Sequence, residues 1–305
     1  MSVDRTVATV IDPARCIGCG ACVRVCPKET LSVMDGTARV TGAESLHCGH
    51  CEAACPTGAA RVTTLPEAVL ATETFTTPTR WIAPGTTDPG ALVQIMRSRR
   101  SCRNYLDRPV SEAMLRDLVR IAVTAPSGSN CQQWTFTLVP DRARVIALGE
   151  ATLPFFEKLN RQAQMGWLRN LLKLAGKPEL DFYYRQYYAA VKEKIADWKT
   201  KGRDFLFWSA PAAIVIATMP GASCPKEDAL MAAQNLLLGA HAMGLGTCPI
   251  GYAVAAMNRD AAIQASLGIP AVETVHAVIT VGWPDETYHR LTGRKPPVVR
   301  TAPKV

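Results

Sequence analysis

The most regular pattern in the chain lies in its second half, where three runs of apolar and β-branched residues stand far apart: WTFTLVP at 134–140, AAIVIAT at 212–218 and VHAVITVGWP at 275–284. Runs of this composition are expected to be strands. Helical spacing fills the intervals. At 91–100 Leu92, Ile95 and Met96 share one face, and beyond a capping serine at 111 the residues Leu115, Leu118, Val119 and Ala122 recur at helical intervals. The stretch DALMAAQNLLLGAHAM at 228–243 is apolar almost all round, which predicts a buried helix. Strands so widely separated by helices predict an α+β sandwich rather than strict alternation. Ahead of them, 65–90 is rich in Thr and Pro and reads as an ordered connector. The expected division is therefore 1–65, a connector at 66–90, and a second domain at 91–305. No internal repeat is apparent, and no G-x-G-x-x-G follows a strand, so a Rossmann nicotinamide domain has no support.

A length of 305 residues suits about two domains, and 48% apolar with 20% charged residues is ordinary globular usage. The longest apolar run, Ala212 to Met219, is far short of the roughly 20 residues that span a bilayer. The N-terminus MSVDRTVATVIDPARC lacks the apolar core of a signal peptide, so a cytoplasmic location is expected. Seven of the eleven cysteines fall between Cys16 and Cys55 at metal-ligand spacing, which favours thiolate ligation in a reducing compartment over disulfides. The net charge of +8 is uneven, because residues 1–65 carry six Lys/Arg against six Asp/Glu. The excess sits in the second domain without a groove-reading motif, which argues against nucleic acid and for a cofactor phosphate or an acidic redox partner.

Cys16 to Pro27 reads CIGCGACVRVCP, the C-x2-C-x2-C-x3-C-P run that ligates a [4Fe-4S] cluster. Gly18 and Gly20 are expected to let the backbone turn tightly around the cube. Ser45 to Pro56, SLHCGHCEAACP, repeats the spacing with a serine at the first ligand position. Because the fourth cysteine of such a run serves the other cluster, Cys16, Cys19, Cys22 and Cys55 form one set. Cys26, Cys48 and Cys51, with Ser45 at the fourth corner, form the second. Three fillings of that corner are open: Ser45 as an alkoxide ligand, a [3Fe-4S] cluster without a fourth ligand, or a water or histidine, with His47 the candidate next after Ser45. With both C-P runs and the compact step between them, residues 11–64 resemble the small bacterial two-cluster ferredoxins.

The run RSRRSCRNY at 97–105 crowds Arg97, Arg99, Arg100 and Arg103 around Ser101, a set of forks and a hydroxyl suited to a phosphate monoester. In order along the chain follow APSGSNCQQW at 125–134, GLGTCPIGY at 244–252 and HRLTGRKPP at 289–297. Together these segments closely resemble the nitroreductase-like FMN flavoproteins over residues 91–300. The resemblance implies a dimeric α+β sandwich with a mostly antiparallel central sheet flanked by helices. It implies FMN phosphate and ribityl contacts at Arg99, Ser101 and Arg103, with Arg100 alongside and Arg294 as a further phosphate arginine. It implies that Pro126, Ser127, Gly128 and Asn130 reach the flavin of a second subunit, and that Pro249, Ile250 and Gly251 lie at its reactive edge. The family's basic residue two positions before Arg294 is Thr292 here.

The resulting expectation is an FMN-dependent oxidoreductase that passes electrons between its [4Fe-4S] clusters and FMN to reduce a nitroaromatic, quinone or activated alkene, with a ferredoxin as donor. No side-chain nucleophile is expected, and Cys102 and Cys131 read as structural. The alternatives are substrate oxidation with the clusters exporting electrons, or a non-catalytic carrier or redox sensor. The aromatic helical excursion at 151–208 places Trp167, Tyr183, Tyr184 and Tyr187 as candidate pocket residues.

Overall fold

The computed structural model describes residues 4–303. The N-terminal part builds two small antiparallel pairs. Strand β1 (Thr9–Ile11) pairs with β4 (Ala60–Val62), and β2 (Leu31–Met34) pairs with β3 (Thr37–Val40). Asp35 and Gly36, both at positive φ (50° and 75°), close that hairpin as a tight two-residue turn, a Asp-Gly signal present in the sequence. Two one-turn helices, α1 (Ala21–Arg24) and α2 (His50–Ala53), each begin after a left-handed glycine, Gly20 at φ 71° and Gly49 at φ 73°. Every one of these positions is offset by 29 residues, as are Cys16 and Ser45, Cys19 and Cys48, Cys22 and Cys51, and Cys26 and Cys55. The expectation of no internal repeat is thus wrong for the N-terminal part, which is a repeat with one altered corner.

The connector carries a 3-10 turn at Glu67–Leu70 and is otherwise irregular. It is fastened at Glu73 and Thr74, whose N–H groups donate to the two oxygens of Asp117 at 2.8 and 2.7 Å, with the Thr74 hydroxyl adding a bond of 2.6 Å. Asp117 is fully buried, and Arg120 pairs with it at 2.7 Å.

The second domain begins with α3 (Pro89–Ser98), capped by Asp88, and α4 (Glu112–Ala122), capped by Ser111 as expected. Strand β5 (Trp134–Val139) leads into α5 (Arg142–Gln164), and α6 (Gly166–Leu174), α7 (Glu179–Gln186) and α8 (Tyr188–Lys201) complete the excursion. Then come β6 (Ala212–Thr218), α9 (Pro225–Ala242), β7 (Gly246–Pro249), α10 (Gly251–Met257), α11 (Ala261–Ala265) and β8 (Thr274–Gly282). The sheet order is β5-β6-β8-β7, every pair antiparallel. All three expected strands form; β7 lacks an apolar run and was not foreseen.

Strand β6 shows why the sequence run is continuously apolar. Ile214 and Ile216 enter the core under α4 and α9, whereas Ala213, Val215 and Ala217 enter the opposite core with residues of α5, α10 and α11. A strand covered on both faces must be apolar at every position. Helix α9 departs from its expectation. It buries Ala229, Ala232, Ala233, Leu236, Leu237 and Ala240, but Leu230 and Met231 are 44% and 39% exposed. No residue of α3 is buried, so Leu92, Val93, Ile95 and Met96 also face out.

Candidate functional site

The cysteines gather around two hollows in the N-terminal part. One is lined by Cys16, Cys19, Cys22 and Cys55, the other by Cys26, Cys48, Cys51 and Ser45. The grouping follows the crossed pairing expected from the spacing. Among the described residues no three His, Cys, Asp or Glu side chains converge on a point for a single ion. Thiols spread around a hollow are what a multi-iron cube requires, because each corner thiolate bonds a different iron.

The backbone prepares the sulfurs. Ala38 N–H donates to Cys16 Sγ at 3.3 Å, Thr30 N–H to Cys26 Sγ at 3.3 Å and Ala59 N–H to Cys55 Sγ at 3.1 Å. Burial pushes the Cys55 thiol up, but the Ala60, Thr57 and Ala59 N–H groups and the Thr57 hydroxyl outweigh it and bring the thiol down to about 7. Cys26 is likewise held below its ordinary value, burial being outweighed by Thr30. The tight turn expected at Gly18 has φ 64°, and a Cβ there would fall 2.3 Å from the Gly36 carbonyl oxygen.

Ser45 is buried at 7% exposure, and its Oγ accepts from His47 N–H at 3.1 Å. The His47 ring bonds the Thr6 carbonyl instead of turning to the hollow, while His50 is at its rim. The backbone of the same loop meets the second domain. Asn130 Nδ2 donates to the His47 carbonyl at 2.7 Å, and Arg5 Nη1 approaches the Ser129 carbonyl at 3.4 Å. His47, Ser129 and Asn130 are all left-handed at φ 51–53°, a conformation that costs a non-glycine residue roughly 1 kcal/mol or more. The far side of the turn is fixed by the buried Asp228, which accepts from Gly128 N–H at 2.8 Å and from the Cys131 thiol at 3.4 Å.

The arginine run lies along the β7 edge. Ser101 bridges Thr247, and Cys102 N–H donates to the Thr247 carbonyl at 2.9 Å. Tyr105 anchors the run from behind, its hydroxyl meeting the Cys102 carbonyl at 3.0 Å and Thr280 Oγ1 at 2.8 Å. Gly246 is required here, since a Cβ would fall 2.7 Å from Cys102 Cβ. Burial, then the Arg294 and Arg100 charges, hold the Arg99 guanidinium below its ordinary value. Arg99 Nη1 is buried without a hydrogen-bond partner, and none of the three arginines makes an ion pair among the described residues. Arg100 Nη1 donates to Thr292 Oγ1 at 2.8 Å. Clustered cations with an orphaned buried donor fit a phosphate.

A cavity of about 630 Å³ opens beside this run. Arg103, Cys248, Pro249, Ile250 and Gly251 line it together with Phe156, Tyr187, Trp198, Phe205, Trp208 and Tyr252, and the Arg103 guanidinium lies 5.7 Å from the Trp208 ring centroid. Pro249 has no N–H and the Ile250 N–H is taken by the Val278 carbonyl at 2.7 Å, so Gly251 offers the free backbone donor of the three. A Cβ on Gly251 would meet no protein atom within 4 Å, so protein packing does not demand the glycine. Of the aromatic candidates only Tyr187 lines the cavity. Trp167 is 67% exposed, Tyr183 bonds Asn160 Oδ1 at 2.8 Å, and Tyr184 stacks under Arg169. Periodicity within a helix could not say which helix faces the cavity. Pro126 to Asn130 does not join Arg99, Arg100, Ser101, Arg103 and Arg294 within one chain; it sits at the start of α9 against the N-terminal part.

Residues 96–283 match the model of the Nitroreductase family, and residues 9–32 and 46–58 match models of a 4Fe-4S binding domain. A 4-nitrobenzoate reductase of Nocardioides sp. is 27% identical over 221 residues, 63% of this chain and 79% of that protein. A chloronitrobenzene nitroreductase of Comamonas testosteroni is 24% identical over 215 residues, 63% of this chain and 86% of its own. A solved nitroreductase with bound FMN from Bacteroides fragilis aligns with a TM-score of 0.49 at 17% identity, covering 71% of this chain and all of that one. With more than half of its length inside the family match, the chain belongs to the Nitroreductase family and carries 4Fe-4S binding segments ahead of that domain.

Proposed function

We propose that the chain is an iron-sulfur FMN oxidoreductase that reduces an organic acceptor, a nitroaromatic, quinone or activated alkene, with electrons delivered through its N-terminal domain. The observation that carries this reading is the arginine run, in which Arg99 carries an orphaned buried donor and Arg103 lines an aromatic cavity. Arg99, Arg100, Ser101, Arg103 and Arg294 would hold the FMN phosphate and ribityl chain, and the Gly251 N–H would be free to donate to the flavin. FMN supplies, when bound, both hydride and single-electron chemistry, which is what joins a one-electron cluster to a two-electron acceptor. The protein binds, orients and excludes water. An open cavity beside the cofactor end favours an enzyme over a carrier with a plugged site.

Cys16, Cys19, Cys22 and Cys55 hold one [4Fe-4S] cluster, and Cys26, Cys48 and Cys51, with Ser45 at the corner, hold the second. The domains are residues 1–65, the connector 66–90, and 91–305. The working unit is a homodimer, supported by the exposed apolar residues of α3 and α9 and by the separation of Pro126–Asn130 from the arginine cluster within one chain. The electron donor is a ferredoxin-type protein. For the cofactor site the test is titration of flavin-free protein with FMN. Arg99→Ala should weaken binding roughly 10- to 100-fold, the span of one or two charge-assisted hydrogen bonds, and unchanged affinity would overturn the assignment. For the donor, rapid flavin bleaching by NADH in protein stripped of its clusters would refute it.

A further inference from the structure

We propose that Lys194 selects aromatic acceptors that carry a carboxylate, holding that group against the aromatic wall of the cavity. The proposal rests on the acceptor-reducing function above and adds the charge class of the acceptor.

Two charged residues line the cavity, Arg103 and Lys194, and no Asp or Glu lines it. Arg103 belongs to the run assigned to the cofactor, although its guanidinium also lies 5.7 Å from the Trp208 ring centroid, which leaves Lys194 as the cavity cation outside that run. On the same helix Lys199 pairs with Glu157 and Lys201 pairs with Asp197, but Lys194 makes no ion pair among the described residues. Its Nζ lies 4.1 Å from the Phe205 ring centroid and 6.0 Å from that of Trp208. An ammonium stacked on rings keeps its N–H donors for an anion and is shielded from water on one side.

The wall against which this lysine stacks is built against local preference. Trp208 and Ser209 are left-handed at φ 59° and 57°, which for a bulky residue persists only when its surroundings impose it. Buried Asp204 imposes it: its carboxylate accepts from the N–H groups of Leu206, Phe207 and Ser209 at 3.0, 2.8 and 3.1 Å, and Arg142 pairs with it at 2.9 Å. Trp208 is half-buried, packing against the core under β6 on one side and lining the cavity on the other. Aromatic faces together with an unpaired cation outside the cofactor run and no acid fit an aromatic carboxylate.

The test uses the FMN- and cluster-loaded full chain, titrated with 4-nitrobenzoate and with the neutral 4-nitrobenzamide while flavin absorption is followed. Wild type should bind the anion more tightly by about five- to tenfold, between the value of an exposed ion pair and that of one partly removed from water. Lys194→Gln should abolish the preference while leaving the amide's affinity unchanged, and Lys194→Arg should retain it. Equal affinities in wild type, or a preference that survives Lys194→Gln, overturns the proposal. Reduction of the amide is assayed in parallel. Failure to reduce it refutes the nitroaromatic acceptor, whereas the binding comparison decides the role of Lys194 separately.

Discussion

The two ends of the molecule reach stability by different routes. The nitroreductase domain buries both faces of a four-stranded sheet, with leucine, isoleucine and valine from seven helices and strands meeting across β6. The N-terminal part buries six residues in its own core, and two of them, Cys22 and Cys51, are cysteines. A core that small does not offset the conformational entropy of some sixty residues, because small domains bury too little surface. The ligand bonds of the clusters must therefore do in one part what hydrophobic packing does in the other. A large core can carry strained active-site loops, and a small one cannot stand without its inorganic contents.

The largest effect should come from removing the clusters. Chelation under air is expected to abolish amide-exchange protection in β1 to β4 while β5 to β8 keep theirs, as read by hydrogen-exchange mass spectrometry. Retained protection in β1 to β4 would break the comparison, since the apolar core would then suffice.

Next comes the fastening between the two parts. Asp117 holds Glu73 and Thr74 of the connector, so Asp117→Ala removes three hydrogen bonds to a buried carboxylate and should cost roughly 2–4 kcal/mol of stability by urea unfolding. Burial works against this charge, but the Thr74 hydroxyl, the Glu73 and Thr74 N–H groups and Arg120 outweigh it and hold the carboxyl below its ordinary value. A depressed folded value means that the contribution is complete above about pH 4, where the unfolded carboxyl titrates, and is lost as the pH falls through the lower folded value. The gap between wild type and Asp117→Ala should therefore narrow when measured near pH 3. A gap independent of pH would assign the loss to packing rather than charge.

Asp117 also marks where the sequence stops being legible. The cysteine sets, the three long strands and the arginine run could be read directly, because ligand spacing, double-sided burial and clustered guanidiniums leave local marks. An aspartate on a helix carries no mark that distinguishes a solvated residue from a buried anchor for a segment more than forty positions away. The same holds for Lys194 and Trp208, whose place on the cavity wall depends on how α8 and the Asp204 loop fold back. Strand β7 was hidden because GTCP has no apolar run; its partner β8 makes it a strand. The 29-residue repeat is legible at the ligand positions, where Ser45 to Pro56 repeats the spacing of Cys16 to Pro27 with a serine for Cys16, but its extension to the one-turn helices is visible only in the fold.

A smaller effect is expected at the junction between the parts. Asn130→Ala deletes the bond to the His47 carbonyl and should cost about 1 kcal/mol. Exchange should rise at 45–50 and at 127–132 together, and flavin reduction through the N-terminal domain should slow without change in the cluster EPR signals. Faster exchange on one side only would mean that the two loops are held independently.

The subtlest change compares the two hollows with each other. They share a left-handed glycine, Gly20 and Gly49, a one-turn helix and a backbone N–H donor to the last sulfur, Thr30 to Cys26 and Ala59 to Cys55; Gly18 has His47 as its counterpart, and the ligand positions differ at one corner, where Ser45 stands in the position of Cys16. Ser45→Cys leaves the surroundings intact: the site is buried, its backbone N–H bonds the Arg5 carbonyl at 2.9 Å, and the exchange of oxygen for sulfur adds little volume, so stability should shift by less than about 1 kcal/mol. The cluster should respond far more than the fold does, because ligand identity is one of the protein's controls on potential. Redox titration with EPR should show one signal moving, that of the cluster proposed to be held by Cys26, Cys48 and Cys51, while the signal of the other stays in place. If neither signal moves, the side chain at 45 does not touch iron, and the hydrogen bond from His47 N–H to its oxygen is the whole of its role.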